Sequence, residues 1–338
     1  METNKINRFH GAGGQVMQNL IKETILGNLD NTSVNGGIGL NDLDDGATIP
    51  IGNKEIVFTV DGHTIKPIFF PGGDIGKLAI CGTVNDLAVM GAKPLALSLS
   101  IILPEDFEIN NLDKIMKSIN KTCNEANVSI ITGDTKVSVV DDIIISSAGI
   151  GILDKGKAIK DSGMKEGDKI IVSGNIGEHG MAILLAREEF EFESNLKSDV
   201  APVNSLVELL LNNNIKINAM KDPTRGGLAD SLNEMVEKSG LGINIVDEEE
   251  LPISDEVRSL SEALGIDPLT VANEGKIVCA VSSEDAEKCI KLLKSHPLGK
   301  NAKIIGEVVS EHNKVIMETI VGRRIIDIPI GDPIPRVC

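Results

Sequence analysis

Aspartate recurs beside glycine near the ends of apolar runs. The instances are "DDGA" (44–47), "TVDGH" (59–63), "VNDLAVMGA" (84–92), "TGDTK" (132–136) and "KDPTRGG" (221–227). A carboxylate with a glycine neighbour lets metal and backbone approach closely, and Mg²⁺ takes carboxylates together with phosphate oxygens. A single Asp-Gly is an ordinary turn. Here the group is too numerous for that, and Asp86, beside Asn85 inside a helical pattern, is a poor structural choice. The set therefore reads as a site for a divalent cation and a phosphate. Arg225 adds a planar fork suited to phosphate or carboxylate. Lys136 follows Asp134 at a strand end, and Glu274 sits in "VANEGKIV" (271–278) between Asn273 and Gly275.

Two further stretches bear on chemistry. "PGGDIGKLA" (71–79) resembles a P-loop but fails its spacing, because Pro71 stands where the first glycine belongs and Leu78 where the hydroxyl belongs. It reads as a glycine turn feeding a helix capped by Asp74. The chain stops at "PRVC" (335–338), after Pro329 and Pro333, which favour an extended arm. From the tail alone two readings stand: an incidental last residue, or a thiol carried for chemistry.

The elements that must position these groups alternate. An amphipathic piece covers 15–27 after the glycine loop "GAGG" (11–14). Strands are predicted at 55–60, 94–102, 128–132 and 142–152, with helices at 74–92 and 110–126. Residues 153–168 form a polar connector. Beyond it lie strands at 169–173, 242–246, 276–281, 303–309 and 314–320. Helices fall at 179–190, 202–213, 226–239, 254–264 and 283–294. This predicts an α/β (α+β) chain with helices on one face of each sheet. Its parts are an N-terminal Gly-rich arm (1–40), a first domain (41–153), a C-terminal α/β domain (165–322) and a tail (323–338).

At 338 residues two domains are the prior. With seven Phe and neither Trp nor Tyr, the cores must be aliphatic. A net charge of −17 disfavours nucleic acid and anionic lipid as partners. No apolar run is long enough to span a membrane, and the start carries no secretory signal, so a cytoplasmic location is expected. The five cysteines have no paired spacing. Cys81, Cys123, Cys279 and Cys289 read as buried thiols, leaving Cys338. The histidines, His63 and His179 in glycine-flanked loops among them, lack metal-ligand spacing.

Together, residues 69–100, "TGDTKV" (132–137), "DPTRGGLA" (222–229), "DPLTVANEGK" (267–276), "HPLGKNAKIIGEV" (296–308) and the terminal "PRVC" resemble the HypE family of hydrogenase maturation proteins. That family shares a superfamily with aminoimidazole ribonucleotide synthetase, selenophosphate synthetase and thiamine-monophosphate kinase. The resemblance implies a two-domain aminoimidazole ribonucleotide synthetase-like fold, with N-terminal domains pairing as a homodimer through a shared β-barrel. It implies ATP and Mg²⁺ held by Asp45 (taken over Asp44), Asp61, Asp86, Asp134 and Asp222, with Arg225 and the loop of Gly13 and Gly14. Asp45, Asp86, Asp134 and Asp222 would be the metal ligands.

The implied reaction takes place on the tail. A carbamoyltransferase, HypF, would load a carboxamide onto Cys338, ATP would drive its dehydration to a thiocyanate, and the HypC–HypD pair would accept the cyanide. Glu274 matches the base and Lys136 a group that steadies the amide or its developing negative oxygen. A small-molecule ATP-dependent synthetase or kinase on the same fold is the alternative. A selenophosphate synthetase would carry a reactive Cys near "HGAGGQ" (10–15), where this chain has none.

Overall fold

The computed structural model describes residues 5–187, 194–331, 333–334 and 336–338. Near the start, within the amphipathic piece expected over 15–27, α1 (Gly14–Asn19) continues into a π-helical turn over Leu20–Ile25. The first domain then runs β1 (Ala47–Ile51), β2 (Lys54–His63), the short hairpin of β3 (Phe69–Phe70) and β4 (Gly73–Asp74), α2 (Ile75–Val89), β5 (Lys93–Pro104), α3 (Ile109–Ala126), β6 (Ser129–Ser138) and β7 (Ile144–Asp154). Its sheet has the order β1-β2-β7-β5-β6. All pairs are antiparallel except β5 with β6, which α3 joins as a parallel crossover.

Helix α2 starts where expected, since Asp74 accepts hydrogen bonds from the amides of Gly76 and Lys77. Apolar residues surround it, and it is buried on almost every side. It lies over β2 and β7 on one face of the sheet. Gly149 makes room there, because a Cβ would stand 2.6 Å from Thr83 and 2.9 Å from Leu97. The other face is open, with Phe58, Val60 and Leu95 exposed, and every residue of β6 is exposed.

The second domain contains β8 (Lys169–Val172), α4 (Glu178–Ala186), α5 (Asn204–Asn212), β9 (Ile217–Lys221), α6 (Gly227–Ser239), β10 (Gly242–Ile245), α7 (Asp255–Leu264), β11 (Val278–Val281), α8 (Ala286–Ser295), β12 (Lys303–Val309), β13 (Val315–Thr319) and β14 (Gly322–Ile326). Its sheet order is β14-β13-β10-β12-β8-β11-β9. The end of the helix expected over 179–190 lies outside the described residues. Strand β9 had no sequence expectation: its five residues are too few to show a period. One apolar cluster runs through both domains, from Leu78 and Leu97 to Ile170 and Leu232, and packs them against each other.

The polar connector 153–168 is anchored, since Asp161 within it is buried and paired to Lys221 at 3.3 Å and Lys238 at 2.8 Å. One expectation changes. The tail is not a free arm in this structure. Residues from 323 first enter the sheet as β14, and the chain then returns with Ile334 and Val337 fully buried. Those two apolar side chains supply the anchorage that the proline spacing concealed. Pro335, one of the spacing prolines, lies outside the described residues. Among the described residues, no helix is long and apolar enough to cross a membrane.

Candidate active site

The cleft between the domains holds a cavity of about 280 Å³. Three aspartates converge in it from three elements. Asp45 precedes β1, Asp86 rides on α2, and Asp222 follows β9. They offer oxygens within 4.8 Å of one another, a spacing that one cation could bridge. Thr59 donates to Asp86 Oδ2 at 2.8 Å, and Lys221 donates to Asp45 Oδ1 at 2.5 Å. Among the described residues, buried oxygens on Asp45 and Asp222 have no hydrogen-bond partner. Such orphans are costly unless a ligand satisfies them.

The electrostatics agree. Burial pushes Asp45 well above the usual carboxylate range despite Lys221. Burial, with Asp222, Asp61 and Asp45 around it, does the same to Asp86. Asp222 is pushed up to about 6 by burial, partly offset by Lys221. A divalent cation relieves this crowding of negative charge, so the donor set fits Mg²⁺ with phosphate oxygens. Asp61 differs. Burial works to raise it, but His63 at 3.0 Å, the Gly62 amide and Arg225 outweigh burial and hold it well below its usual range. Strand β2 continues through Asp61 and Gly62, where the sequence suggested a turn. Helix α2 presses against this pair at Gly82, where a Cβ would meet His63 at 2.7 Å.

Glu274 is buried in the same cavity, and its Oε1 lacks a partner among the described residues. Burial first, then the charges of Asp222, Asp61 and Asp199, pushes its carboxyl well above the usual range. Its backbone is held firmly. The Glu274 amide donates to Asp199 Oδ1 at 3.1 Å, and its carbonyl accepts from Asn85 Nδ2 at 3.2 Å and from the Ala201 amide at 3.3 Å. Asn85 thus ties α2 to the Glu274 loop, which explains the odd Asn-Asp pair inside a buried helix.

The glycine loop closes one end. Gly13 and Gly14 have φ of 73° and 69°, and a Cβ on Gly14 would stand 2.1 Å from the Pro329 carbonyl oxygen. The Gly14 amide donates to Asp230 Oδ2 at 3.2 Å. Arg225, expected to face an anion, donates to the Gly11 carbonyl at 3.1 Å while lining the cavity. Cys338 also lines it. The other four thiols are buried, as expected.

Asp134 and Lys136 are not brought here within one chain. They pair with each other at 3.1 Å on the exposed β6. Register puts Asp134 opposite Ser100 and Lys136 opposite Ile102, in rows that face away from α2. Asp61 belongs to the alternate row with Ser147, which faces α2. Sequence reasoning missed Lys221, Thr59 and Asp230. Thr59 had a signal, since it lies two residues from Asp61 on a strand and so shares its face. Lys221 and Asp230 had only adjacency to "DPTRGG".

The chain matches the AIR synthase related protein N-terminal domain family over residues 43–153 and the C-terminal domain family over residues 165–318. It is 72% identical to a Methanocaldococcus jannaschii protein assigned to hydrogenase expression/formation, over 99% of this chain and 100% of that one. It is 41% identical to the carbamoyl dehydratase HypE of Rhizobium leguminosarum bv. viciae, over 99% of this chain and 95% of the relative. A solved HypE–HypF complex superposes with a TM-score of 0.85 at 45% identity, covering 92% of this chain and 99% of that chain. A solved HypE bound to ATP gives 0.81 at 36% identity, covering 99% and 100%.

Proposed function

Since the chain belongs to the HypE carbamoyl dehydratase family, within the AIR synthase related proteins, we propose that it uses ATP to dehydrate a carboxamide carried on its own Cys338 to a thiocyanate, the cyanide source for a nickel–iron hydrogenase. One observation carries this reading. The terminal thiol of the docked tail lies in the same cavity as the carboxylate trio and Glu274. A kinase acting on a free small molecule has no use for its own terminus there.

The chemistry follows from the leaving group. Oxide departs poorly from an amide, so the carboxamide oxygen takes the γ-phosphoryl group of ATP and leaves as phosphate. The nitrogen sheds two protons as the C≡N bond forms, and the sulfur–carbon bond persists. Glu274 is the base we assign to the nitrogen, because it is buried, unpartnered at Oε1 and placed in the cavity with Cys338. Asp45, Asp86 and Asp222 would hold Mg²⁺, which when bound neutralises phosphate charge beside a −17 protein. Gly13, Gly14, Asp61 and Arg225 shape the nucleotide end of the cavity.

Lys136 and Asp134 enter the proposal through a second copy. The face that carries them also exposes Phe58 at 43% and Val60 at 64%, an apolar surface suited to pairing in a homodimer. Across such a pair, Lys136 would reach the partner's cavity and steady the developing oxygen charge there. HypF would load Cys338, and HypC–HypD would accept the cyanide.

Intact mass of the protein incubated with HypF, carbamoyl phosphate and Mg-ATP tests the reading. One carboxamide should appear on Cys338 and then lose one water, only with ATP. A Cys338 that stays unmodified while HypF is demonstrably active would sink it.

A further inference from the structure

The end of the tail is gripped by its backbone. The Arg336 carbonyl accepts from the Arg187 guanidinium at 3.0 Å and from the Lys66 amide at 3.3 Å. The Val337 carbonyl accepts from His179 Nε2 at 2.6 Å. A carbonyl only accepts, so Nε2 carries the proton. His179 is fully buried, and burial lowers its pKa against the opposing charge of Asp199, which keeps the ring neutral. Nδ1 is then bare and accepts from Ser198 Oγ at 2.7 Å, while Ser198 Oγ accepts from the Val200 amide at 3.0 Å. Each member of this chain fixes the direction of the next.

We propose that His179, oriented by Ser198, is a latch that reads the Val337 carbonyl and positions Cys338 for dehydration, and whose release frees the tail for carbamoylation. The inference rests on the proposed reaction and deepens it. Recognition through the Arg336 and Val337 main-chain carbonyls makes this grip independent of whether the sulfur bears hydrogen, a carboxamide or a cyano group. The latch also aligns the tail with the base. Ser198 orients His179, and the adjacent Asp199 holds the Glu274 amide, so one short segment sets both. That segment is fixed to the first domain by the Ser198 amide donating to the Pro71 carbonyl at 2.8 Å. His179 is a positioning residue. Packing alone would be served better by an apolar side chain at this depth.

The test compares His179→Phe, which keeps the ring and loses the donor, with His179→Gln, which keeps a donor at similar reach. Labelling of Cys338 by DTNB, mapped by peptide mass, reads docking without any reaction. His179→Phe should label about tenfold faster than wild type, as expected for one lost buried hydrogen bond, and His179→Gln close to wild type. Protein already carrying the carboxamide should dehydrate about tenfold more slowly in His179→Phe, while HypF loads that variant at least as fast as wild type. Should His179→Phe fold poorly, Ser198→Ala keeps the ring unoriented and should shift both steps the same way by less. Equal labelling rates, or loading and dehydration falling together, overturn the latch. A wild type that loads but never dehydrates overturns the reaction instead, and the labelling comparison still decides the latch.

Discussion

The Asp45–Asp86–Asp222 cluster and the Asp134–Lys136 pair gave the same signal in the sequence, aspartate near glycine at a strand or helix, and the fold treats them oppositely. The trio converges in a buried cleft, with carboxyls raised by burial and oxygens left unpartnered. The pair lies on an exposed edge strand, where Lys136 bonds to Asp134 and holds its carboxyl below the usual range. A buried unsatisfied carboxylate cluster needs a ligand to be tolerable. An exposed ion pair needs nothing, so any catalytic use must be supplied by a surface that covers it. The trio belongs to one chain, and the pair makes sense in a reaction only if two chains share the work.

The largest effect should come from the cleft. Glu274→Gln should leave loading of Cys338 and ATP binding intact and slow dehydration by about 10²–10⁴-fold, read as the rate at which the carboxamide loses water. A base whose pKa is raised must be ionised to work. In wild type, therefore, the rate should fall as pH drops through a value above the usual carboxylate range, and Glu274→Gln should lose that step.

Next in size is a test of whether the pair serves a second chain. Lys136→Ala should slow dehydration while leaving the melting temperature in place, because its partner contact is exposed. Mixing Lys136→Ala with Glu274→Gln chains should restore about a quarter of wild-type activity, since half the dimers are mixed and each has one intact site. No recovery on mixing, with exchange of chains verified, would place Lys136 outside a shared site.

Asp86→Asn separates the two regions by stability. Removing one carboxylate from a crowded buried set should raise the melting temperature of the free protein by roughly 2–4 °C. It should also abolish the further rise that Mg-ATP gives wild type. Asp134→Asn should change neither within one chain. If Asp86→Asn kept its response to Mg-ATP, the trio would not be the cation site.

Much of this was legible in the sequence, for identifiable reasons. Helix α2 could be read because Asp74 caps it and Leu78, Cys81, Val84, Leu87 and Ala88 recur at helical spacing, although the folded helix is apolar on almost every side. Asp86 stood out because that pattern makes an aspartate anomalous. That Lys136 lies outside this chain's own cleft was not legible, because a strand ending near 132 seemed to present it beside Asp134 at a rim. In fact β6 runs on to Ser138, and strand parity then turns both side chains away from the cleft. The docked tail was hidden because proline spacing is local, whereas the buried seats for Ile334 and Val337 are built by distant residues. Lys221 was missed for the same reason. A lysine ending a short strand looks solvated until Asp45, Asp161 and Glu234 are folded around it.

Asp230 sits between the two regions in character, buried like the trio yet bonded to the Gly14 amide. Burial, with Glu234 nearby, pushes its carboxyl up to about 6 from an ordinary 3.8. Between those values the folded state holds a proton that the unfolded state has released, so stability falls as pH rises through that window and stays lower above it. Asp230→Asn keeps an oxygen for the Gly14 amide and removes the charge. It should stabilise the free protein at pH 8 by on the order of 2 kcal/mol and leave stability near pH 3.5 unchanged. Denaturant unfolding at the two pH values reads this directly. A stabilisation equal at both would mean that packing, not the buried charge, sets the cost. A loss at pH 8 would mean that the glycine loop needs the full negative charge to stay folded over the cavity.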